Sequence, residues 1–386
     1  MNANSIKQLN KRRVLQYIQR HQGHSRADIA KSLEISKPTI SNLVDELLAE
    51  GWIREKESLK ASSSGGRKPY QIFFIQDAAY LIGVDIGGTS VEMAVMDLAG
   101  NVQKKSCFPT QGFTGEKLTP KIAEAIRQLI QQCGLQENQV FGAGVGVPGI
   151  TDVSKGMVID APSVGWKNVP LKSALESLLP FPIYIDNDVN VAVLGELWKG
   201  TSADKDNMLM ITLGTGIGCG IIIHGELYRG ATYAAGEIGY MVTDKNMAEK
   251  HYEQTFAGYG FLDSHVGGPA IANRMKMVEK QAAAPTAKQI FQQAADGNEK
   301  AVEILEESLS HLAFALINVI SIINPGRIIL GGGISKSMHR FLPILQSTIE
   351  RHVPVQTAIA ITEVEDVSLI GAGYLLLKEH DSVLKV

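Results

Sequence analysis

Leu81-Ile82-Gly83-Val84-Asp85-Ile86-Gly87-Gly88-Thr89 reads as an apolar strand running into a glycine turn, and Val91 to Asp97 returns as a second strand. Glycines at such a turn let backbone N–H groups approach a phosphate closely. A similar unit recurs at Met208-Leu209-Met210-Ile211-Thr212-Leu213-Gly214-Thr215-Gly216-Ile217-Gly218, followed by a strand from Cys219 to Ile223. Either cluster alone is an ordinary hairpin turn. Two strand–glycine turn–strand units in one stretch of chain predict a duplicated α/β fold with a cleft between its lobes. A third cluster follows a helical stretch from Glu299 to Ile322. There Asn324-Pro325-Gly326 turns the chain, Arg327 to Leu330 forms a strand, and Gly331-Gly332-Gly333 makes a tight turn. That turn takes the adenosine side of a nucleotide or simply lets backbones pack closely.

The polar centre of this region is Asp186-Asn187-Asp188-Val189-Asn190, between a strand and a helix read from Val191 to Trp198. Asp and Asn are common helix caps, but one residue is enough to cap, and here four of five are polar. An aspartate in this place can take a proton from a sugar hydroxyl as general base, and Asn187 can bond neighbouring hydroxyls.

Upstream, three helices are read before residue 50. The first runs from Ser5 to His21, with Ile6, Leu9, Val14, Tyr17 and Ile18 near one face. Ser25, with Asp28 three residues on, opens the second in a near capping-box pattern. Ser36 caps the third, with Pro38 in its first turn. Ile40, Leu43, Val44, Leu47 and Leu48 give that helix an apolar stripe, and Gly51 stops it. A short helix, a tight turn and a second helix form a helix-turn-helix. Lys37, Thr39, Ser41 and Asn42, with the cap Ser36, form a short polar face fit for a major groove. A strand at Trp52-Ile53-Arg54, a basic loop at 62–69 and a strand from Tyr70 to Ile75 then read as a wing. Its Arg67 and Lys68 reach toward a phosphate or a minor groove. A small helical bundle for dimerisation is the plainer alternative.

Charge separates the two parts. Residues 1–75 carry 13 basic and 7 acidic residues, whereas the whole 386-residue chain has a net charge of -3. A basic head on an acidic body suggests that the head meets a polyanion. The balance of 45% hydrophobic and 20% charged residues is that of a globular protein. No apolar run is read as approaching the roughly 18 residues that span a bilayer, and the N-terminus lacks the apolar core of a secretory signal. Cys107, Cys133 and Cys219 are far apart, which fits neither a disulfide framework nor a paired-cysteine metal motif. A cytoplasmic location is therefore expected, with no membrane partner.

Together these motifs resemble the ROK family, whose members are repressors and sugar kinases of the actin/hexokinase-like (ribonuclease H-like) fold. The resemblance covers essentially the whole chain. It implies a winged helix-turn-helix at residues 1–76 and a two-lobed sugar-kinase-like effector domain at 77–386. The lobes would be roughly 77–186 with the C-terminal helix, and 187–370. Asp85, Gly87, Gly88 and Thr89 look like the family's first phosphate loop. Gly214, Thr215 and Gly216 look like the second, and Gly332 belongs to the adenosine-side turn. Asn187 and Asp188 match the sugar-binding pair, with Asp188 at the base position. Gly144 to Gly149 matches a strand and turn beside the sugar, and Ser163, ahead of Gly165-Trp166, stands where the family usually has Asn. Gly236-Glu237-Ile238-Gly239-Tyr240 lies where the family carries Glu-x-Gly-His, placing Glu237 and Tyr240 at the sugar.

In zinc-binding members that His joins a cysteine cluster. Here it is Tyr240, and the matching stretch from Thr255 to Phe261 has no cysteine, so no thiolate zinc site is expected there. His251 and His265 are expected at the solvated surface. A helix-turn-helix ahead of this body resembles the family's repressor branch. The implied function is a sugar-responsive repressor of a carbohydrate operon, with double-stranded operator DNA and a sugar such as xylose as partners and no required cofactor. Half-site logic and the resemblance imply a homodimer or a dimer of dimers. The alternative is a sugar kinase using ATP and Mg²⁺.

Overall fold

The computed structural model describes residues 3–57, 70–113, 115–201, 205–250, 260–280 and 282–386. The expected wing loop with Arg67 and Lys68, His251, and residues 255–259 of the cysteine-free stretch lie outside the described residues.

The head comprises α1 (Ala3–Arg20), α2 (Arg26–Leu33), α3 (Lys37–Ala49), β1 (Ile53–Glu57) and β2 (Tyr70–Phe74). The capping box at α2 is complete, because Ser25 Oγ accepts from Asp28 N and the Asp28 carboxylate accepts from Ser25 N. Ser25 N and Ser25 Oγ both donate to the Asp28 carboxylate, which favours its charged form and holds it below its usual pKa. Glu34 turns left-handed (φ 56°) to end α2, and Ser36 caps α3 through Thr39 N. Strands β1 and β2 pair antiparallel from Ile53↔Phe74 to Glu57↔Tyr70. One expectation needs correcting. Ile6 and Leu9 are each 46% exposed, because the first half of α1 projects beyond the core that Val14, Leu15 and Ile18 enter.

The body is built twice on one plan. In the first lobe, β3 (Tyr80–Ile86), β4 (Ser90–Asp97) and β5 (Val102–Pro109) form an antiparallel meander. Helix α4 (Leu118–Gln132) crosses to β6 (Val140–Val147), which runs parallel to β3. A small sheet of β7 (Ile150–Asp152), β8 (Met157–Ala161) and β9 (Trp166–Val169) follows. Then α5 (Leu171–Glu176) leads to β10 (Ile183–Asn187), parallel to β6. Helix α6 (Asp188–Lys199) passes to the second lobe. There β11 (Met208–Leu213), β12 (Ile217–Ile223) and β13 (Glu226–Leu227) repeat the meander.

After α7 (Lys245–Lys250), α8 (Asp263–Val266), α9 (Gly268–Glu279), α10 (Ala287–Ala295) and α11 (Glu299–Ile323), the parallel strands β14 (Arg327–Gly331) and β15 (Ala358–Ile361) flank α12 (Leu342–Glu350). The sheet orders β10-β6-β3-β4-β5 and β13-β12-β11-β14-β15 show the duplication directly. Helix α11 corrects the reading of apolar runs. By length and composition it is apolar enough to cross a bilayer. Leu305, Leu309, Leu312, Leu316 and Ile320 instead bury it in the core of the second lobe.

The last helix, α13 (Val367–Glu379), joins the parts. It packs along α6 and across β3 and β6 at backbone distance. A Cβ on Gly371 would stand 1.6 Å from Val191 O, and one on Gly144 1.7 Å from Ala372 O. The other end of α13 meets the head. Leu376, Leu377 and Leu384 share one apolar core with Val14, Leu15, Leu47 and Phe74. Trp52 packs edge-on to Phe141, Gln16 Nε2 donates to Lys385 O (2.9 Å), and Arg12 pairs with Asp381. Head and body are thus continuous in packing.

Candidate functional site

The residues expected at the sugar are organised around the N-terminus of α6. Asn187 caps that helix, its amide oxygen accepting from Val189 N (2.8 Å) and Asn190 N (3.2 Å). Its Nδ2 donates to Gly149 O at 2.9 Å. Capping therefore takes the oxygen of Asn187 and leaves one amide N–H for a ligand. Gly149 has φ 79°, and a Cβ there would lie 2.1 Å from Asp160 O, so no other residue fits this turn. Asp186 is 1% exposed and is held by Asn190 Nδ2 (2.8 Å) and by Arg229 Nε (2.7 Å).

Asp188 is half-buried beside Asp85. Burial first, and the like charge of Asp85 second, push its carboxyl up to about 7, and Glu237 adds to the repulsion. Asp85 is pushed up to about 6 by burial and then by Glu92, while a hydrogen bond from Ser368 at the start of α13 opposes the rise. Burial also raises the Glu237 carboxyl, with Asp263 adding like charge. Asp85, Asp188, Glu237 and Asp263 thus form a succession of like-charge neighbours. The folded state holds these protons more tightly than the unfolded chain. The raised carboxyls therefore favour folding at low pH and lose that contribution as pH rises through about 6 to 7.

Each glycine turn is held by contacts with a neighbouring loop or strand. The turn at 87–89 touches the Ser163 turn, since a Cβ on Gly88 would lie 3.1 Å from Ser163 Cβ. Thr110 Oγ1 donates to Gly88 O (2.7 Å), and Thr110 N donates to Thr89 O (3.0 Å). In the second lobe, Gly214 N donates to Gly216 O and Gly268 N to Gly214 O, and Thr215 O lies against Gly267. Gly332 sits against the Leu213 backbone, so the 331–333 turn abuts the 214–216 turn. The 214–216 turn leads into β12, which packs against Val189 and Val193 of α6. Tyr240 is 53% exposed and Ser163 is exposed; Glu237 also keeps an exposed face, although its carboxyl is partly desolvated.

Asp263, which the sequence reading did not single out, sits behind Glu237. Its oxygens accept from Ile217 N (2.7 Å) and Gly260 N (2.8 Å), tying the second glycine turn to α8. Its adjacency to Glu237 is set by loop closure over many residues and leaves no local signal. Arg229 was also missed. It bridges Asp186 to Glu379 (2.8 Å) and so connects the strand under the cleft to the C-terminal end of α13. The expectation for His265 is corrected. It is half-buried, stacked on Phe261 and 4.2 Å from the His311 ring, with Nδ1 bonded to Phe261 O. Burial, and then His265, push His311 down to about 4. Among the described residues no three His, Cys, Asp or Glu side chains are grouped to hold a metal.

On the head, Lys37, Thr39 and Asn42 lie exposed on α3 with Ser36. Ser36 Oγ and Thr39 Oγ1 bond each other (2.8 Å), and α3 has no acid in its first turn, which leaves its positive helix end open to a phosphate. Ser41 is the exception, because its hydroxyl and carbonyl accept from Arg26, which also pairs with Asp45 and Glu55.

This architecture has known counterparts. The sequence matches the MarR family over residues 8–60 and the ROK family over residues 81–379. A xylose repressor from Caldicellulosiruptor bescii is 30% identical over 362 residues, covering 91% of this chain and 89% of the repressor. A glucokinase from Halalkalibacterium halodurans is 31% identical over 325 residues, covering 79% of this chain but 97% of the kinase. The part of this chain without a counterpart in the kinase is about the size of the head. A crystal structure described as a ROK family transcriptional regulator, homologous to the E. coli MLC protein, superposes with a TM-score of 0.82 over 96% of both chains at 23% identity. With a MarR-type winged helix-turn-helix ahead of a duplicated sugar-kinase-like body, the chain belongs to the ROK family.

Proposed function

We propose that this protein is a DNA-binding repressor whose affinity for its operator is set by a sugar in the interlobe cleft. The observation that carries this reading is the double engagement of α13. One end shares a core with the DNA-reading head, and its length lies against α6, whose first residue is Asp188. The full-length likeness to a xylose repressor supports it. In this reading residues 1–76 are the head and 77–386 the effector domain. Asn187, Asp188, Glu237, Tyr240, Gly149 and Ser163 face the sugar, and xylose is the first sugar to test. A lobe movement at α6 is passed to the head through α13. The sugar regulates only by binding the two arrangements with different affinity. Reading two half-sites takes two copies of the chain.

The test is fluorescence anisotropy on DNA from upstream of the gene, at fixed salt, with and without a sugar panel. Tight, sequence-selective binding changed by one sugar supports the reading; binding no tighter than to random DNA defeats it. Lys37→Glu is expected to weaken DNA binding by about tenfold or more and to lower the magnitude of the salt slope by about 1, with sugar affinity intact. Equal loss in both assays would refute the division of labour between head and body.

A carboxylate that accepts a sugar hydroxyl must be ionised. Below about 7, sugar affinity is expected to fall by up to about tenfold per pH unit, and above it to level off. Calorimetric titration across that range checks this, and a flat profile would remove Asp188 as the acceptor.

A kinase is the second reading, favoured by the glucokinase likeness and by the presence of Asp85, Asp188 and the glycine turns. ATP and Mg²⁺ would lie along the 87–89, 214–216 and 331–333 turns, with Asp188 as base. A coupled ADP-release assay on the same sugars decides it.

A further inference from the structure

Apart from the cleft, the head and body enclose a crevice of about 440 Å³ between the C-terminal end of α1, the end of α6 and the middle of α13. Its volume is in the range of small-molecule sites, which favour domain junctions. The lining is polar where it opens. Gln19 and Arg20 come from the head, Gln76 from the connection, and Lys205 from the body. Trp198 and Tyr374, stacked with centroids 5.0 Å apart, form an aromatic wall beside apolar Leu98 and Leu377.

Two observations point to an anionic ligand. Arg20 is exposed where it lines the crevice and makes no ion pair among the described residues. Lys205 is half-buried, and its ammonium donates to a carbonyl, Leu197 O (2.9 Å). Burial lowers its pKa, with Glu196 opposing, and among the described residues it makes no ion pair. The amides of Gln19 and Gln76 offer donors and acceptors of the kind that bind hydroxyls.

We propose that this crevice is a second effector site, taking a small hydroxylated oxyanion, its phosphate or carboxylate held between Arg20 of the head and Lys205 of the body. The ligand spans two parts that also meet at the α13 core, so its occupancy biases the head's position. Binding stands independently of the repressor reading, and only its effect on DNA rests on that reading.

The test uses the full-length protein with ribose 5-phosphate, citrate and inorganic phosphate as probes, chloride matching the ionic strength. Trp198 fluorescence and calorimetry report binding. At least one probe is expected to saturate with a Kd below about 1 mM. Arg20→Gln combined with Lys205→Gln should weaken it by about tenfold or more, while Asp188→Asn leaves it unchanged. A preference for ribose 5-phosphate over citrate identifies a phosphate site, and the reverse a carboxylate site. No saturation by any probe up to about 10 mM, undiminished affinity in the double variant, or loss in Asp188→Asn would each overturn the proposal. If the double variant melts early, Arg20→Gln alone decides, since Arg20 is exposed on the last turn of α1. A probe that binds but leaves DNA affinity unaltered would retain the site and reject its regulatory role.

Discussion

Gly371→Val is expected to abolish soluble, folded protein. A Cβ at this position would stand 1.6 Å from Val191 O and 2.6 Å from Gly195 N. Both are backbone atoms of α6, so no rotamer change relieves the clash; α13 must leave α6. Ordinary overpacking costs about 1–3 kcal/mol through small shifts, whereas this displacement opens a buried helix pair that reaches both sheets and the head. Domains are stable by only about 5–15 kcal/mol. The check is soluble yield and a thermal melt. Gly333→Ala is the control, since nothing lies within 4 Å of its added Cβ and its φ is not positive. A Gly371→Val protein melting within a few degrees of the parent would show that α13 does not hold α6 this closely.

Asp188→Asn is expected to uncouple the protein from sugar. The change is nearly isosteric, so the cap made by Asn187 and the path of α6 persist. It removes the charged acceptor and one member of the raised Asp85–Asp188 pair. A charge-assisted bond to a hydroxyl contributes about 1.5–3 kcal/mol, and leaving its partner unsatisfied adds to the loss. Sugar affinity should therefore fall by about a hundredfold, with operator affinity without sugar unchanged. The melting temperature above pH 7 should hold or rise, because a like-charge repulsion is gone. Calorimetry and anisotropy on the same preparation check both. An unaltered sugar response would move the sugar site elsewhere, and lost operator binding would make Asp188 a structural residue of the head–body arrangement.

Much of the architecture is written locally. Ser25 with Asp28, Ser36 with Pro38, and Asn187 before α6 are caps whose partners lie within a few residues, and composition marks them. The two glycine turns flanked by apolar strands reveal the duplication, which the matching sheet orders display. What escaped is long-range. Arg229 serves Asp186 and Glu379, partners far from it in sequence. Ser41 has the polarity of a groove-facing residue, but Arg26 occupies it. His265 has a surface residue's composition, yet Phe261 and His311 stack around it. Ile6 and Leu9 follow the core's period without reaching the core. For Arg229, Ser41 and the His265–His311 contact the deciding neighbour comes from another element, and periodicity carries no record of it.

The apolar seam shared by head and body also constrains how such a chain arises. Leu377 and Leu384 are at most 3% exposed where the head covers them. Cutting the chain near residue 76 would bare them, together with the aromatic ring of Phe141, and leave a sticky face on the truncated body. Joining such a head to a body therefore calls for apolar residues along this seam on both sides. A relative without a head is expected to carry charged or amide side chains at those positions, and a scan of headless family members for that exchange would date the union of the two parts.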